Sequence, residues 1–300
     1  MPLTAREVVI VSYSQQEIKK NTFWRSGLIH LMKRKAFVFG ASMLIICIVV
    51  AIVIPLLSQP AHHNIDLIQR NIMPSKKYFF GTDDLGRNLL VRTCIGAQIS
   101  LFVGLLVAFI DTVIGVLYGG IAALLGGKIG EAMLFVIEIL QATPYLLFVI
   151  LLTSFLGHDM FTLIFSLAIV GWTNVAYIVR AQILTFKKKE FVLAANSFGV
   201  PPVMIMWRHL IPNLFGVIVD AVTMIVSRAI FMESMLSFLG LGIQPPLASL
   251  GSLICDGSIA ISSYPHRLFF PSALVSIIIF SLHMLGEGLR DAFNPRYRFF

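Results

Sequence analysis

The sequence is poor in charged residues. Asp, Glu, Lys and Arg make up 13% of its 300 residues, while 57% are hydrophobic; an ordinary soluble protein is about one quarter charged. The mean hydropathy is +0.87. Despite a net charge of +8, this composition excludes a disordered chain, a coiled coil and a protein whose main role is to bind nucleic acid. We predict an integral membrane protein that works in a lipid bilayer.

Cysteine is scarce as well. The three cysteines, Cys47, Cys94 and Cys255, follow neither a metal-ligand nor a redox spacing. We therefore expect no metal site in this chain. Cys94 and Cys255 fall in segments that we place outside the cell, so a disulfide could join them, but nothing in the sequence brings them together.

The familiar catalytic motifs are missing. A phosphate-binding loop has the pattern G-x-x-x-x-G-K-[ST], and the most similar string, residues 122–129, has Ala122 in place of the first glycine and Ile129 in place of the final hydroxyl. Zinc-protease and nucleophile-elbow motifs are absent too. We predict that the chain is not an enzyme, carries no cofactor and does not hydrolyse ATP.

Long apolar segments are what the sequence does have. Each of them is long enough to cross the roughly 30 Å hydrocarbon core, and each must be helical, because lipid offers no partner to a free backbone N–H or C=O. The segments are residues 36–57, 100–125, 132–156, 161–179, 214–238 and 268–285. We predict an all-α protein with six transmembrane helices. The first 35 residues contain no apolar run followed by a cleavage site, so we expect them to remain in the mature protein.

The distribution of Lys and Arg predicts the orientation. Of the 23 Lys and Arg, 16 fall in the segments that are cytoplasmic if both termini are inside, and six fall outside. The resulting organisation is a cytoplasmic segment 1–35, a first helix 36–57, an external loop 58–99, a core 100–285 containing a cytoplasmic loop 180–213, and a cytoplasmic tail 286–300. We expect a multi-pass protein of the inner, or cytoplasmic, cell membrane.

The cytoplasmic loop 180–213 is longer than helix connections usually are. It predicts two short helices separated by Gly199, which suits a helix end with positive φ, while Pro201 and Pro202 suit the first turn of the next helix. Ala194 and Ala195 leave a low surface that a partner's backbone can approach. The alternative is an amphipathic helix pair lying on the lipid surface.

Six residues of this loop stand at the spacing of the EAA motif, which marks permease subunits of ABC importers: Glu190, Ala194, Ala195, Gly199, Ile205 and Pro212. Three further blocks, at residues 80–101, 233–251 and 285–296, extend the similarity. Together they resemble the C-type permease subunit of the dipeptide, oligopeptide and nickel importers. Leu250 and Phe135 depart from this pattern, since the family usually has Trp and often has Arg at these positions.

The resemblance implies a type I ABC importer permease fold, with the EAA loop acting as a coupling helix. It implies four kinds of partner: a second homologous permease, two ATPase subunits that bind ATP and Mg²⁺, an external substrate-binding protein, and the bilayer. The implied substrates are short peptides. Two alternatives stay open: a permease for nickel or a metal chelate, and an ion-coupled secondary carrier, for which no inverted repeat is visible.

The first block supplies candidates outside the membrane: Gly81, Thr82, Asp83, Asp84, Gly86 and Arg87. The resemblance makes them family residues, and Asp83, Asp84 and Arg87 are the better candidates for function. Alternatively, Asp83 or Asp84 could cap a helix that runs into the second transmembrane segment. Both interpretations can hold together, since such a helix could also close the external mouth.

Five charged residues lie inside apolar segments or at their ends, where a charge costs about 2.5–3.5 kcal/mol on insertion scales: Asp111, Glu138, Asp220, Arg228 and Glu233. They could line a polar path or form ion pairs between subunits; equally, they could snorkel or pair internally. Gly115 and Gly119 predict a helix-packing seam. The histidines expected outside could capture a metal, although solvated side chains are commoner: His62, His63, His158 and His266.

Overall fold

The computed structural model describes residues 31–32, 34–58 and 65–293. Across these ranges the regular structure is helical, apart from one isolated bridge between Thr82 and Asn88. The helices are α1 Lys35–Leu57, α2 Leu89–Leu125, α3 Gly127–Ala142, α4 Tyr145–Leu156, α5 Met160–Phe186, α6 Glu190–Ser197, α7 Pro202–Ile205, α8 Ile211–Phe238, α9 Leu250–Ile259 and α10 His266–Phe293. The predicted all-α class is confirmed. Segment 1–30, His62, His63 and residues 294–300 lie outside the described residues.

The transmembrane helices are longer than the apolar segments that predicted them. Helix α2 begins at Leu89, within the predicted external loop, because the Asn88 side chain accepts a hydrogen bond from Leu90 N at 3.0 Å and so satisfies one free N–H of the first turn. The expectation that Asp83 or Asp84 starts this helix is therefore wrong. Apolar residues mark the part of a helix in lipid, whereas the cap marks where it begins.

The third predicted segment, residues 132–156, is not one straight helix. Helices α3 and α4 meet at an angle of 81°, and Thr143 between them has an extended backbone. Pro144 explains the break, because proline disfavours the helical conformation of the residue before it and has no N–H to donate. The prediction of a single continuous helix here is wrong.

The packing of α2 and α5 shows that the bent pair nevertheless crosses the bilayer. Gly115 lies against Val175 and Gly119 against Ala176, while Lys187 Nζ, just after α5, donates a hydrogen bond at 2.5 Å to Ala123 O near the end of α2. These two helices therefore run parallel, and the chain between them must return to the starting side. Helices α3 and α4 together form one broken span, which makes six spans among the described residues.

Helices α1 and α8 each run antiparallel to α2, and Gln98 Nε2 near the start of α2 donates at 2.6 Å to Ala51 O in the second half of α1. The end of α8 lies beside the start of α2, where Ser100 Oγ donates to Glu233 Oε2 at 2.8 Å. Arg34 at the start of α1 is 3.7 Å from Asp291 near the end of α10. One side of the molecule therefore holds the start of α1 and the ends of α2, α5 and α10.

The predicted packing seam is present. A Cβ atom added at Gly115 would lie 2.5 Å from Val175 Cβ, closer than unbonded carbon atoms approach. The absence of side chains at Gly115 and Gly119 allows α2 and α5 to pack backbone to backbone.

Candidate functional site

The stretch of residues 65–88, termed the 65–88 segment, is organised around Asp83. This side chain is 1% exposed. Its carboxylate accepts hydrogen bonds from Arg87 Nε at 2.7 Å and Arg92 Nη1 at 2.5 Å, and from the backbone N–H groups of Leu85 and Arg87. Burial raises the pKa of Asp83, but the opposing charges of Arg92 and Arg87 and these hydrogen bonds hold it below its ordinary value.

Two glycines of the predicted block have positive φ, 79° at Gly81 and 77° at Gly86. A Cβ atom at Gly86 would also collide with the backbone of Asp66. Thr82 is buried, accepts from Ile72 N at 2.8 Å and donates to Gln69 O at 2.5 Å. These contacts fold the segment back on itself.

Asp84 and Arg267 join the 65–88 segment to α10. Arg267 Nη2 lies 3.2 Å from Asp84 Oδ1, and Nη1 donates to Asn71 Oδ1 at 3.1 Å. The segment is thus held to α2 through Arg92 and to α10 through Arg267. A role in closing the external mouth remains a prediction.

The five predicted intramembrane charges do not form one site. Glu233 is fully buried in a hydrogen-bonded network in which Ser100 and Ser237 each donate to it at 2.8 Å. Ser249, which caps α9, is 3.3 Å from Ser237. This network ties α2, α8 and α9 together and fits internal pairing. Glu138 lies apart, exposed on α3.

Asp111, unlike Glu233, is buried without a hydrogen-bonded network around it in the described part of the chain. It is 0% exposed, and neither carboxylate oxygen has a hydrogen-bond partner among the described residues. It lies against α5, where a Cβ at Gly171 would be 2.8 Å from Asp111 Oδ1. Arg228 is close enough to interact electrostatically with it. A buried carboxylate without a hydrogen bond is costly, so this pair marks a candidate site.

Arg228 lies between two cavities, of about 290 and 420 Å³, and it lines both together with Asn174. Its guanidinium carbon is 5.6 Å from the ring centre of Tyr145. The larger cavity also reaches Asp220, whose Oδ2 is 3.9 Å from Arg290 Nε. The structure thus brings together three of the five predicted charges, Asp111, Asp220 and Arg228.

Four residues that line these cavities are not among the five predicted charges, because they are uncharged or lie beyond the apolar segments: Gln141, Tyr145, Asn174 and Arg290. Proline inside an otherwise apolar segment was the available signal, because a broken span often lines a polar cavity. Asn174 had no comparable signal.

The EAA segment, residues 187–212, is only partly as predicted. Helix α6 is present, and Gly199 has φ +74° with no heavy atom within 4 Å of an added Cβ. The second short helix is not separate: α7 continues through a π-helical turn, Met206–Leu210, into α8. Pro212 accounts for the turn because it has no N–H to donate to the carbonyl four residues earlier.

The two alanines of the motif have different surroundings. Ala194 is exposed, whereas Ala195 is half-buried and packs against the hydrophobic core. Val192 and Ile205 are buried and anchor the segment. Glu190 lies in the first turn of α6, where a carboxylate is favourable to the helix dipole. Burial lowers the pKa of the nearby Lys187 ammonium.

Large apolar side chains are exposed on the surface of the EAA segment. Phe198 is 86% exposed. The others that are exposed are Phe191, Leu193, Val203, Met204 and Trp207. Exposed apolar side chains gathered in one short segment indicate a contact surface.

The structure supports neither the possible disulfide nor metal capture by the histidines that it describes. Cys47, Cys94 and Cys255 are free thiols. Within residues 31–32, 34–58 and 65–293, no three His, Cys, Asp or Glu side chains are grouped so that they could hold a metal ion.

Comparison with known proteins gives two family matches. Residues 93–299 match the model for the binding-protein-dependent transport system inner membrane component, and residues 22–74 match the N-terminal TM domain of oligopeptide transport permease C. The chain is similar to the oligopeptide transport system permease protein OppC of Bacillus subtilis, at 40% identity over 93% of this chain and 92% of the relative. It is 44% identical to the dipeptide transport system permease protein DppC of the same organism, over 92% and 85%, and 38% identical to OppC of Escherichia coli, over 94% of each chain.

The first of these matches covers the EAA motif and the blocks at residues 233–251 and 285–296. The relatives are named as transport permeases, and the apolar helices place the protein in a membrane. The predicted resemblance and fold class are confirmed: the chain belongs to the family of binding-protein-dependent transport system inner membrane components, C-type permeases with the type I ABC importer fold.

Proposed function

We propose that this chain is a permease subunit of an ATP-driven importer of short peptides, in which it forms half of the translocation path. The names of its relatives, oligopeptide and dipeptide transport permeases, support the substrate class. The observation that carries the proposal is the exposed apolar surface of the EAA segment, part of which lies on the continuous helix Pro202–Phe238.

The EAA segment supplies the coupling. Phe198 and its exposed neighbours seat in a groove of an ATPase subunit, while Val192 and Ile205 hold the segment to the membrane helices. Helix runs from Pro202 to Phe238, so a displacement of the seated surface moves Arg228 and the walls of both cavities. Rigid helices transmit motion in this way between sites.

The partners supply the energy and the substrate. This chain lacks a phosphate-binding loop, so ATP and Mg²⁺ bind to two partner ATPase subunits and no cofactor resides here. A second homologous permease completes the path, and an external substrate-binding protein delivers the peptide.

Both termini lie in the cytoplasm in this proposal. The bias of Lys and Arg supports this orientation, and so does the position of the EAA segment beside the ends of α2 and α5. A cysteine replacing Lys188 should resist impermeant thiol reagents added outside, whereas one replacing Ser75 should react. The reverse pattern would show that the orientation is inverted.

The two alternatives have less support. The OppC and DppC relatives are named for the transport of peptides, and within the described part of the chain no group of potential metal ligands supports nickel capture. A secondary carrier would leave the EAA surface without a use.

Reconstituted transport tests the proposal. The assembled complex in proteoliposomes, with the binding protein on the outside, should import a tripeptide when ATP is inside and should not do so with a non-hydrolysable analogue. The chain alone should neither bind nor hydrolyse ATP. Uptake driven by a proton or sodium gradient without ATP would favour the secondary carrier instead.

A further inference from the structure

The break between α3 and α4 opens a polar cavity among apolar helices. Helix α4 begins at Tyr145 with Pro144 at its N-cap, and no side chain caps it. The first N–H groups of a helix have no partner within the helix, and they carry the positive end of its dipole. The cavity, of about 290 Å³, lies at this helix end and is lined by Thr143, Tyr145 and Asn174, among others.

Arg228 adds a full positive charge to the same cavity. Its guanidinium faces the Tyr145 ring, which is itself fixed by a hydrogen bond from its hydroxyl to Leu167 O at 2.9 Å. Among the residues that the structure describes, no carboxylate oxygen lies within 4.0 Å of the Arg228 nitrogens. A charge within the membrane is energetically costly, and ionisable residues at such positions typically mark a functional site.

Asp111 lies near Arg228 but does not use its hydrogen-bond donors. It interacts with Arg228 electrostatically, but it is fully buried beside Gly171, which lines the cavity, and its oxygens accept no hydrogen bond among the described residues. The donors of Arg228 remain available to a ligand.

We propose that Arg228 and the start of α4 form a binding site for a carboxylate of the transported peptide. An Arg fork matches the two oxygens of a carboxylate, and the start of a broken transmembrane helix favours the same charge. Asn174 and Gln141, whose amides lie 3.4 Å apart at the cavity, can donate further hydrogen bonds. Every unblocked peptide carries a carboxylate at its C-terminus, so the site can hold peptides of differing side chains. This inference rests on the proposed peptide import.

The test compares peptides that differ only in this group. Trialanine has a free terminal carboxylate, trialanine amide has none, and alanyl-alanyl-glutamic acid amide has one on its side chain alone. ATP-driven uptake of each is measured in proteoliposomes containing the assembled complex. With Arg228→Gln, uptake of trialanine should fall about tenfold, the effect of one charge-assisted hydrogen-bond pair, and uptake of trialanine amide should change less than twofold.

Arg290→Gln is the matched control, because it removes an arginine that lines only the other cavity and pairs with Asp220. It should affect the three peptides equally. The glutamic acid amide identifies the source of the carboxylate: a fall with Arg228→Gln shows that any carboxylate is bound, and no fall shows that the terminal one is selected. Both outcomes support the site.

A parallel fall for trialanine and its amide, or no fall for either, would overturn the proposal. Co-purification of the partner subunits shows whether Arg228→Gln assembles. If it does not, Arg228→Lys, which keeps the charge but loses the fork, replaces it with the same criterion. Absence of ATP-driven uptake by the unsubstituted complex would instead contradict the proposed function.

Discussion

The 65–88 segment and the EAA segment are both long connections outside the apolar spans, yet a buried charge fixes the first and buried apolar side chains anchor the second. In the 65–88 segment, Asp83 is 1% exposed and accepts four hydrogen bonds, two of them from arginine side chains. In the EAA segment, Phe198 is 86% exposed and only a few side chains, such as Val192, reach the core.

The contrast separates two kinds of function. The 65–88 segment, held to α2 and α10 by the ion pairs of Asp83 and Asp84, contributes to the stability of its own chain. Both segments expose large apolar side chains, Ile68 at 94% in the first and Phe198 at 86% in the second. However, no ion pair between two described residues holds the EAA segment in this way, and the EAA segment is the one proposed to bind an ATPase subunit. Substitutions in the first should therefore change unfolding, and substitutions in the second should change assembly.

Replacing Asp83 by Asn should have the largest effect on stability. The change leaves Arg92, whose side chain is 10% exposed, without its counter-ion, and breaking a buried ion pair from one side costs about 3–5 kcal/mol. The midpoint of thermal unfolding and the amount of protein in the membrane should both fall. Asp84→Asn is the control: its carboxylate is half exposed, so its effect should be clearly smaller. Equal effects would contradict the central position of Asp83.

Replacing Ala194 by Glu should affect assembly rather than folding. Ala194 is exposed on α6, so the carboxylate is solvated in the free chain but loses water in an ATPase groove, at a cost of several kcal/mol. We expect normal membrane levels, weak co-purification of the ATPase subunits and lost uptake. Ala194→Ser, which stays small and uncharged, should retain both. Ala195 is a poorer probe because it packs against the core.

Replacing Gly199 by Ala should produce an intermediate loss of coupling. Since an added Cβ meets no heavy atom within 4 Å, the effect comes from the backbone alone: φ is +74°, which costs an L-residue about 1 kcal/mol. The turn between α6 and α7 should shift, and uptake should fall without loss of the chain. Gly199→Asn tests the cause, because Asn tolerates positive φ better than Ala. A larger defect with Asn would show that side-chain size matters instead.

Much of the fold followed from the sequence because lipid imposes a simple rule on backbone hydrogen bonds. Length and hydropathy located all six spans. They could not locate the break at Pro144, since the two halves together are apolar enough to pass for one span, or the start of α2, which depends on the Asn88 side chain. These features depend on single residues rather than on composition.

The candidate site was predictable only in part. The resemblance located the EAA segment and the block around Asp83 because their residues are close together in sequence. It could not show that Asp111 and Arg228, more than a hundred residues apart, come close enough to interact electrostatically, or that Glu233 belongs to a separate network. Such groupings depend on which helices pack together, and a single sequence does not contain that information.

The smallest expected effect is the loss at acidic pH of the stability that Asp83 contributes to the 65–88 segment. The pKa of Asp83 is held below its ordinary value in the folded chain, so its stabilising effect is present above the unfolded pKa of about 3.9 and is lost as the pH falls through the lower, folded value. The difference in unfolding midpoint between the unsubstituted complex and Asp83→Asn should be constant from about pH 5 to pH 7 and shrink below about pH 4.

Comparing the unsubstituted complex with Asp83→Asn at each pH cancels the contribution of the other carboxylates, because those carboxylates titrate in both proteins. Ala194→Ser, measured in the same way, should show a difference from the unsubstituted complex that does not vary with pH, since neither side chain at residue 194 titrates. If the Asp83→Asn difference persists unchanged to pH 3, the ion pairs with Arg87 and Arg92 are not what stabilises the 65–88 segment.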